Sequence, residues 1–167
     1  MPTQSAHTAS KHPRSILAGP YGHPFHALLV TVPIGSWVAL LVFDILTIAG
    51  DDPDAFARGA RWLLGIGLVG AAAAAVVGFL DYSILVKGTR AQRLALIHML
   101  LNLVIIVLMG VSLLARLGTN GFSLGGFIVS LIGLGMLALS GFIGGELAYR
   151  FGVRVADEST QRAAFEG

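Results

Sequence analysis

Histidines and carboxylates at the boundaries of long apolar runs are the residues of this sequence that could do chemistry. The stretch GHPFHALLVTVPIGSW carries His23 and His26 at the start of one apolar run, and a later run contains His98. Two further runs end in carboxylates, Asp81 in GFLDY and Glu146 in GGELAY. Ionisable groups are costly inside or beside such runs, so each of them is a candidate for function.

Three chemistries use side chains of this kind. A b-type haem needs two imidazoles from facing helices, for which His26 and His98 are the candidates, with Asn102 and Trp37 as further cofactor contacts. A transition metal without a porphyrin binds histidines together with carboxylates. The candidate ligands for such a metal are His23, His26, His98, Asp81 and Glu146. A proton relay would use the same groups, and a purely structural network that sets the register of the helices is the fourth interpretation.

The composition of the chain is that of an integral membrane protein. Of its 167 residues, 55% are hydrophobic and only 12% are charged, whereas a soluble domain has about 25% charged residues. The pI near 9.4 does not indicate nucleic-acid binding, because the basic residues cluster at the ends of apolar runs and form no stripe with aromatics. The sequence has no cysteine, which excludes disulfides and thiolate metal sites within the chain.

Four apolar runs are long enough to cross a bilayer, for which a helix needs about 20 residues. They cover residues 25–49, 62–85, 94–115 and 122–147. The short polar links between them predict that successive helices are antiparallel neighbours, so the fold is an all-α, up-down bundle of four transmembrane helices. This transmembrane domain covers residues 23–155. Residues 1–22 are predicted to form a disordered polar tail, and residues 156–167 a second tail on the same side of the membrane.

The distribution of basic residues predicts the orientation of the bundle. One side holds Lys11, Arg14, Lys87, Arg90, Arg93, Arg150, Arg154 and Arg162. The other side holds Arg58, Arg61 and Arg116. Because basic residues are retained on the cytoplasmic side, both termini are expected in the cytoplasm, with the bundle in a bacterial inner membrane.

A common spacing predicts which polar side chains meet. Asp44 follows His26 by 18 residues, and Arg116 follows His98 by the same number. Eighteen residues rise about 27 Å and return to the same helix face, and about 27 Å is close to the hydrocarbon thickness. We therefore expect His26 level with His98 at one end of the bundle, and an Asp44–Arg116 ion pair at the other end.

Each half of the chain also follows one plan. A histidine stands near the start of its first helix, and a carboxylate stands near the end of its second helix, which suggests a parallel duplication. In the last helix, Gly141 and Gly145 form a small-xxx-small pair. Such a pair permits close helix packing, so it is the candidate surface for a homodimer.

Taken together, these motifs resemble a bacterial family of four-helix membrane proteins whose shared domain has no assigned function. The resemblance covers residues 19–155 and rests on GHPFHALLVTVPIGSWVALLVFDIL, GFLDY, the third-helix histidine with asparagine four residues later, and GGELAYRFGV. The matched positions are His23, His26, Asp44, Asp81, His98, Gly144, Gly145 and Glu146. Some members of that family carry a Rieske-type iron–sulfur domain, for which this sequence has no cysteine ligands. The resemblance implies an association with redox proteins, and it favours electron transfer through haem.

The leading hypothesis is therefore a membrane electron-transfer protein that binds haem b and meets a redox partner or membrane complex. A cofactor-free accessory or scaffold subunit is the alternative from a different class. A non-haem metal site and a proton relay remain open. Hydrolase or transferase activity is not expected, because the sequence contains neither a nucleophile–base pair nor a phosphate-binding loop.

Overall fold

The computed structural model describes residues 2–13, 15–19 and 22–166, with side chains from residue 6 onward. Arg14, one of the basic residues behind the orientation prediction, lies outside the described residues. The described chain is all-α. Its helices are α1 (Pro2–Lys11), α2 (Phe25–Leu29), α3 (Thr31–Ala49), α4 (Pro53–Ser83), α5 (Arg90–Leu117), α6 (Leu124–Tyr149) and α7 (Glu158–Ala163), with one 3-10 turn at Ile16–Ala18.

Four helical segments are long and apolar enough to cross a membrane: Phe25–Ala49, which joins α2 and α3, and the helices α4, α5 and α6. Large apolar side chains cover their outer surfaces, and Val69, Leu114 and Phe142 are each about 70% exposed (73%, 68% and 68%). Such a surface suits lipid rather than water. The predicted fold class, a bundle of four transmembrane helices, is thus confirmed.

Capping residues, rather than hydropathy, determine where the spanning helices begin. The side chains of Asp52, Thr89 and Ser123 each accept a hydrogen bond from a backbone N–H three residues later. These caps satisfy amides that have no partner in the first turn. As a result, α4 starts nine residues before the apolar run at 62, and α5 starts four residues before the run at 94.

The first spanning segment is interrupted at Val30, three residues before Pro33. Proline has no N–H to donate to the carbonyl four residues earlier, and its ring pushes that carbonyl aside. In the same turn, the Thr31 hydroxyl donates to the Leu28 carbonyl at 2.7 Å. The interruption separates α2, the short helix that carries His26, from α3.

The four spans form two antiparallel hairpins. Within the first hairpin α3 packs on α4, within the second α5 packs on α6, and the hairpins meet where α4 contacts α5 and α3 contacts α6. The first and third spans are therefore diagonal partners across the bundle axis. The middle of the bundle is an apolar core built from Trp37, Leu40, Ala60, Leu64, Ala71, Ile105 and Met109.

The terminal segments are ordered and held together, which differs from the predicted tails. Lys11 is buried, and its Nζ lies 3.1 Å from Glu158 Oε1, while the Arg154 amide donates to the Ser10 carbonyl at 3.1 Å. The pKa of Glu158 lies below its ordinary value because its own amide and Lys11 favour the charged carboxylate. Residues 2–11 are too polar to fold on local hydropathy, and this contact with the C-terminal segment supplies their order.

Candidate functional site

Two polar sites lie on the bundle axis, one at each end. The terminal end is the end at which α1, α2 and α7 lie, and the opposite end carries the links that follow α3 and α5. The imidazole pair, His26 and His98, lies toward the terminal end, and the ion pair of Asp44 with Arg116 lies toward the opposite end. The apolar core separates the two sites, so no continuous polar path joins them among the described residues.

The imidazole pair consists of two rings that face each other from diagonal spans. The ring centroids of His26 on α2 and His98 on α5 are 6.3 Å apart, and the ring planes are nearly perpendicular at 86°. Both rings are partly buried. The two side chains therefore lie at the same level of the bundle, as their common spacing predicts.

Both rings are oriented by the second helix of their own hairpin. His26 Nδ1 lies 2.9 Å from the Ala74 carbonyl, and His98 Nδ1 lies 3.1 Å from the Ser140 carbonyl. A carbonyl oxygen can only accept, so Nδ1 carries the proton in each ring and Nε2 of the neutral imidazole holds the lone pair. Each histidine is therefore held in the tautomer that ligates through Nε2.

A glycine makes room for each ring. A Cβ on Gly78 would come within 2.9 Å of His26 Cε1, and a Cβ on Gly144 within 3.1 Å of His98 Cε1. Each glycine lies four residues, about one helical turn, after the residue whose carbonyl accepts from that ring. The two imidazoles thus occupy equivalent sockets, each made of one carbonyl and one glycine on the neighbouring helix.

The second socket contains two additional polar groups, the Asn102 amide and the Ser140 hydroxyl. Asn102 Nδ2 donates to the Ser140 hydroxyl at 2.7 Å and to the His98 carbonyl at 2.8 Å, and lies 3.2 Å from His98 Nε2. For His26 Nε2, by contrast, the described residues supply no hydrogen-bond partner. Asn102 therefore lies beside His98 and distinguishes it from His26, and its role as a cofactor contact stays a prediction.

At the opposite end, Asp44 and Arg116 form a bidentate ion pair. Arg116 Nη1 and Nη2 bind the two carboxylate oxygens of Asp44, the second at 2.9 Å, and both side chains are almost fully buried. Ser112 and Ser130 hydroxyls accept further hydrogen bonds from the guanidinium. Removal of either partner of such a buried ion pair leaves an uncompensated charge inside the bundle, which is strongly destabilising. The predicted link between the first and third spans is thus present in the structure.

Three of the five candidate metal ligands have an exposed side chain or a basic partner of their own. His23 has an exposed side chain, and Glu146 binds Arg150 at 3.1 Å instead of a histidine. Asp81 Oδ1 lies 2.9 Å from Arg154 Nε, off the angle of a hydrogen bond, so charge holds that pair. Within residues 2–13, 15–19 and 22–166, no group of three or more histidine or carboxylate side chains is arranged to hold a metal ion.

Arg154 is the residue at the terminal end that sequence reasoning counted only as one more cytoplasmic base. Its guanidinium donates to the carbonyls of Lys11, Ala18 and His23, and also faces Asp81. The residue has a positive φ of 60°, which is uncommon outside glycine. The last residue of RFGVR gave little signal in the sequence, because the three carbonyls come from a segment more than 130 residues earlier.

Trp37 and the glycine pair of α6 lie away from the imidazole pair. Trp37 is 11 residues beyond His26, about 16 Å along the helix, where its indole packs against Gly67. Its buried Nε1 has no hydrogen-bond partner among the described residues. Gly141 and Gly145 are exposed, with open space where a Cβ would stand, so a homodimer through them remains a prediction.

The fold and its two axial sites define the class of this protein as a multi-pass helical membrane protein with polar residues inside and apolar residues outside. The chain belongs to the family described as predicted membrane protein (DUF2231), which it matches over residues 22–157. That match covers the four spans, both axial sites and Arg154. No curated protein and no solved structure matches the chain.

Proposed function

We propose that this membrane protein binds a b-type haem between His26 and His98 and transfers electrons through it. The single observation that carries the proposal is the separation of 6.3 Å between the two ring centroids. With a metal–nitrogen bond of about 2 Å and the ligating nitrogen about 1 Å from its ring centre, two imidazoles on one metal have centroids about 6 Å apart. The observed separation therefore suits two ligands of one metal centre.

The donor set supports the same conclusion. Both Nδ1 atoms are used by backbone carbonyls, and a histidine ligand characteristically donates its other ring nitrogen to such a group. These hydrogen bonds orient the rings and make Nε2 a better ligand. Gly78 and Gly144 leave space for each ring beside the backbone of the neighbouring helix.

The surroundings of the pair favour electron transfer over transmembrane proton transfer. When bound, haem with two imidazole ligands supplies reversible one-electron chemistry. In the core below the pair, Trp37, Leu40 and Met109 are fully buried, and the Trp37 indole N–H has no hydrogen-bond partner among the described residues to which it could pass a proton. The pair lies toward the terminal end, so a redox partner would approach from that side.

A cofactor-free accessory or scaffold subunit is the second candidate, and one contact favours it. Asn102 Nδ2 lies 3.2 Å from His98 Nε2, the atom that would ligate iron. In this alternative the two histidines and Asn102 act as hydrogen-bonded contacts that set the register of the first and third spans.

A difference spectrum distinguishes the two candidates. The full chain, expressed with added haem precursor and purified in mild detergent, is expected to show a Soret band and a dithionite-minus-air spectrum of two-imidazole haem. His26→Ala and His98→Ala should each lose that spectrum. His23→Ala, which removes an exposed imidazole three residues away, should keep it. Added imidazole should restore part of the band in either alanine variant that remains monodisperse, since it replaces a missing ligand and not a packing contact.

Elemental analysis of the same preparation covers the non-haem alternative. A stoichiometric metal without a Soret band would assign the pair to a metal ion and overturn the haem proposal. Absence of both metal and absorbance above 300 nm, in cells supplied with haem precursor, would favour the accessory-subunit function.

A further inference from the structure

A cleft of about 380 Å³ opens at the terminal end of the bundle, on the outside of the second hairpin and away from the imidazole pair. It lies where α4 ends, α5 begins and α6 ends, with α1 forming one wall. Apolar side chains form most of its surface, among them Leu85, Val86, Phe151 and Val153. Because three spanning helices end here, the cleft lies at the depth where a bilayer meets water.

Two arginines line the same cleft, and no aspartate or glutamate among the described residues lines it. Arg90 holds its guanidinium over the Phe151 ring, with Cζ 5.6 Å from the ring centroid. Stacking in this way uses the face of the guanidinium and leaves its N–H edge free to donate. Within the described part of the chain, Arg90 has no carboxylate partner.

The second arginine, Arg150, is only lightly engaged. Its Nη1 binds Glu146 at 3.1 Å, one helical turn away, and its side chain is 63% exposed. Exposed pairs of this kind contribute little stability. Glu158, a carboxylate at the same end of the bundle, lies 3.1 Å from Lys11 Nζ. The cleft therefore combines an apolar floor with Arg90, which has no carboxylate partner among the described residues, and Arg150, whose exposed guanidinium is only lightly held by Glu146.

We propose that this cleft binds the phosphate group of an anionic phospholipid, with Arg90 and Arg150 on the phosphate and the apolar floor against the glycerol and upper acyl chain. Guanidinium groups match phosphate oxygens through paired N–H donors. Basic pockets between spanning helices are suited to lipid headgroups. The shared chemistry is a phosphate anion, but the apolar floor and the depth of the cleft favour a lipid over free phosphate.

Native mass spectrometry of the full chain in mild detergent tests the proposal with three probes. They are dioleoyl phosphatidylglycerol, dioleoyl phosphatidylcholine and inorganic phosphate, each titrated over the same concentrations. We expect phosphatidylglycerol to remain bound, and phosphatidylcholine and phosphate to dissociate. In the double variant Arg90→Gln/Arg150→Gln, phosphatidylglycerol should bind about thirty-fold more weakly.

The matched control is Arg58→Gln/Arg162→Gln, which removes the same charge from two exposed positions outside the cleft. It should change phosphatidylglycerol binding less than about threefold. Arg90→Lys/Arg150→Lys keeps the charge but loses the paired donors, so its affinity should be intermediate. If Arg90→Gln/Arg150→Gln aggregates, the proposal is tested by Arg90→Lys/Arg150→Lys and by the comparison of lipid headgroups on the unaltered protein.

Three results would overturn the proposal. If the cleft variant and the control weaken phosphatidylglycerol binding equally, the effect comes from the lower net charge and not from the cleft. Equal binding of phosphatidylcholine and phosphatidylglycerol would show that the cleft does not select an anionic lipid. Binding of inorganic phosphate as tight as that of phosphatidylglycerol would assign the cleft to a free anion.

Discussion

The two hairpins of this bundle repeat one set of contacts with different side chains. His26 and His98 are 72 residues apart, and the glycines beside them, Gly78 and Gly144, are 66 residues apart. The core repeats the same offsets, since Trp37 packs on Gly67 and Met109 packs on Gly133. The equivalent contacts indicate a parallel duplication, in which backbone sockets are retained while the side chains that fill them differ.

The difference between the hairpins is greatest at the opposite end. Asp44 and Arg116 occupy equivalent positions, 72 residues apart. A strict repeat would bring two like charges together across the axis, which is destabilising in a buried site. The ion pair therefore exists because the halves differ. The serines that bind Arg116 correspond to Leu40 and Leu64 in the first hairpin, so the polar surroundings belong to one half alone.

At the terminal end the hairpins keep the same ionisable group and differ beside it. Both supply a histidine held by a carbonyl, but Asn102 and Ser140 of the second hairpin correspond to Val30 and Ala74 of the first. The two hairpins thus keep the histidines that are the proposed haem ligands, and they differ in the polar groups beside them.

The largest effect on stability is expected from removing the negative charge of Asp44, the residue that is opposite in charge to its equivalent in the other half. Asp44→Asn leaves the Arg116 guanidinium buried without its counter-ion, so it should lower the free energy of unfolding by about 3–5 kcal/mol. Thermal unfolding in detergent measures this as a fall in Tm. Asp51→Asn, an exposed site with the same chemical change, should shift Tm little. Equal shifts in the two variants would mean that the ion pair contributes no specific stability.

An intermediate effect is expected from filling the equivalent sockets. Gly78→Ala and Gly144→Ala place a Cβ against an imidazole, and overpacking of this size costs about 1–3 kcal/mol. Gly65→Ala on α4 and Gly141→Ala on α6 meet open space and should be neutral or stabilising, because alanine favours helix. Chemical denaturation in mixed detergent micelles compares all four. A loss in only one of the two socket variants would refute the equivalence of the sockets.

The smallest effect is expected from making the second socket resemble the first. Asn102→Val removes the hydrogen bonds to Ser140 and His98, and it should cost about 1 kcal/mol. If His98 Nε2 ligates haem, this variant should bind haem at least as well as the unaltered protein, because a competing contact is gone. Leu103→Val, at an exposed position of the same helix, controls for the altered helix propensity. Lower haem occupancy in Asn102→Val alone would indicate that Asn102 holds the ligand in place.

Much of this architecture follows from the sequence because the bilayer imposes a simple requirement. A backbone that crosses hydrocarbon must satisfy its own hydrogen bonds, so an apolar run of about 20 residues becomes a helix. Helical periodicity then places residues 18 apart on one face. That is why His26 with His98, and Asp44 with Arg116, could be paired across diagonal spans from spacing alone.

Contacts with groups from distant parts of the chain could not be predicted from spacing in the same way. The candidate metal set grouped His23, Asp81 and Glu146 with the imidazoles because they share a depth, but depth does not specify which way a side chain points. Asp81 faces Arg154, and Glu146 faces Arg150 on its own helix. Arg154 in turn binds carbonyls, which carry no sequence signal because every residue has one.

The sequence by itself therefore determined the class of the protein, its four spans and the polar residues that meet on the bundle axis, since hydropathy and helical period act locally. Only the tertiary structure decided the tautomer of the histidines, the order of residues 2–11 and the cleft beside Arg90. Each of these depends on backbone groups or helix ends brought together from separate parts of the chain, where local patterns contain no information about the partner.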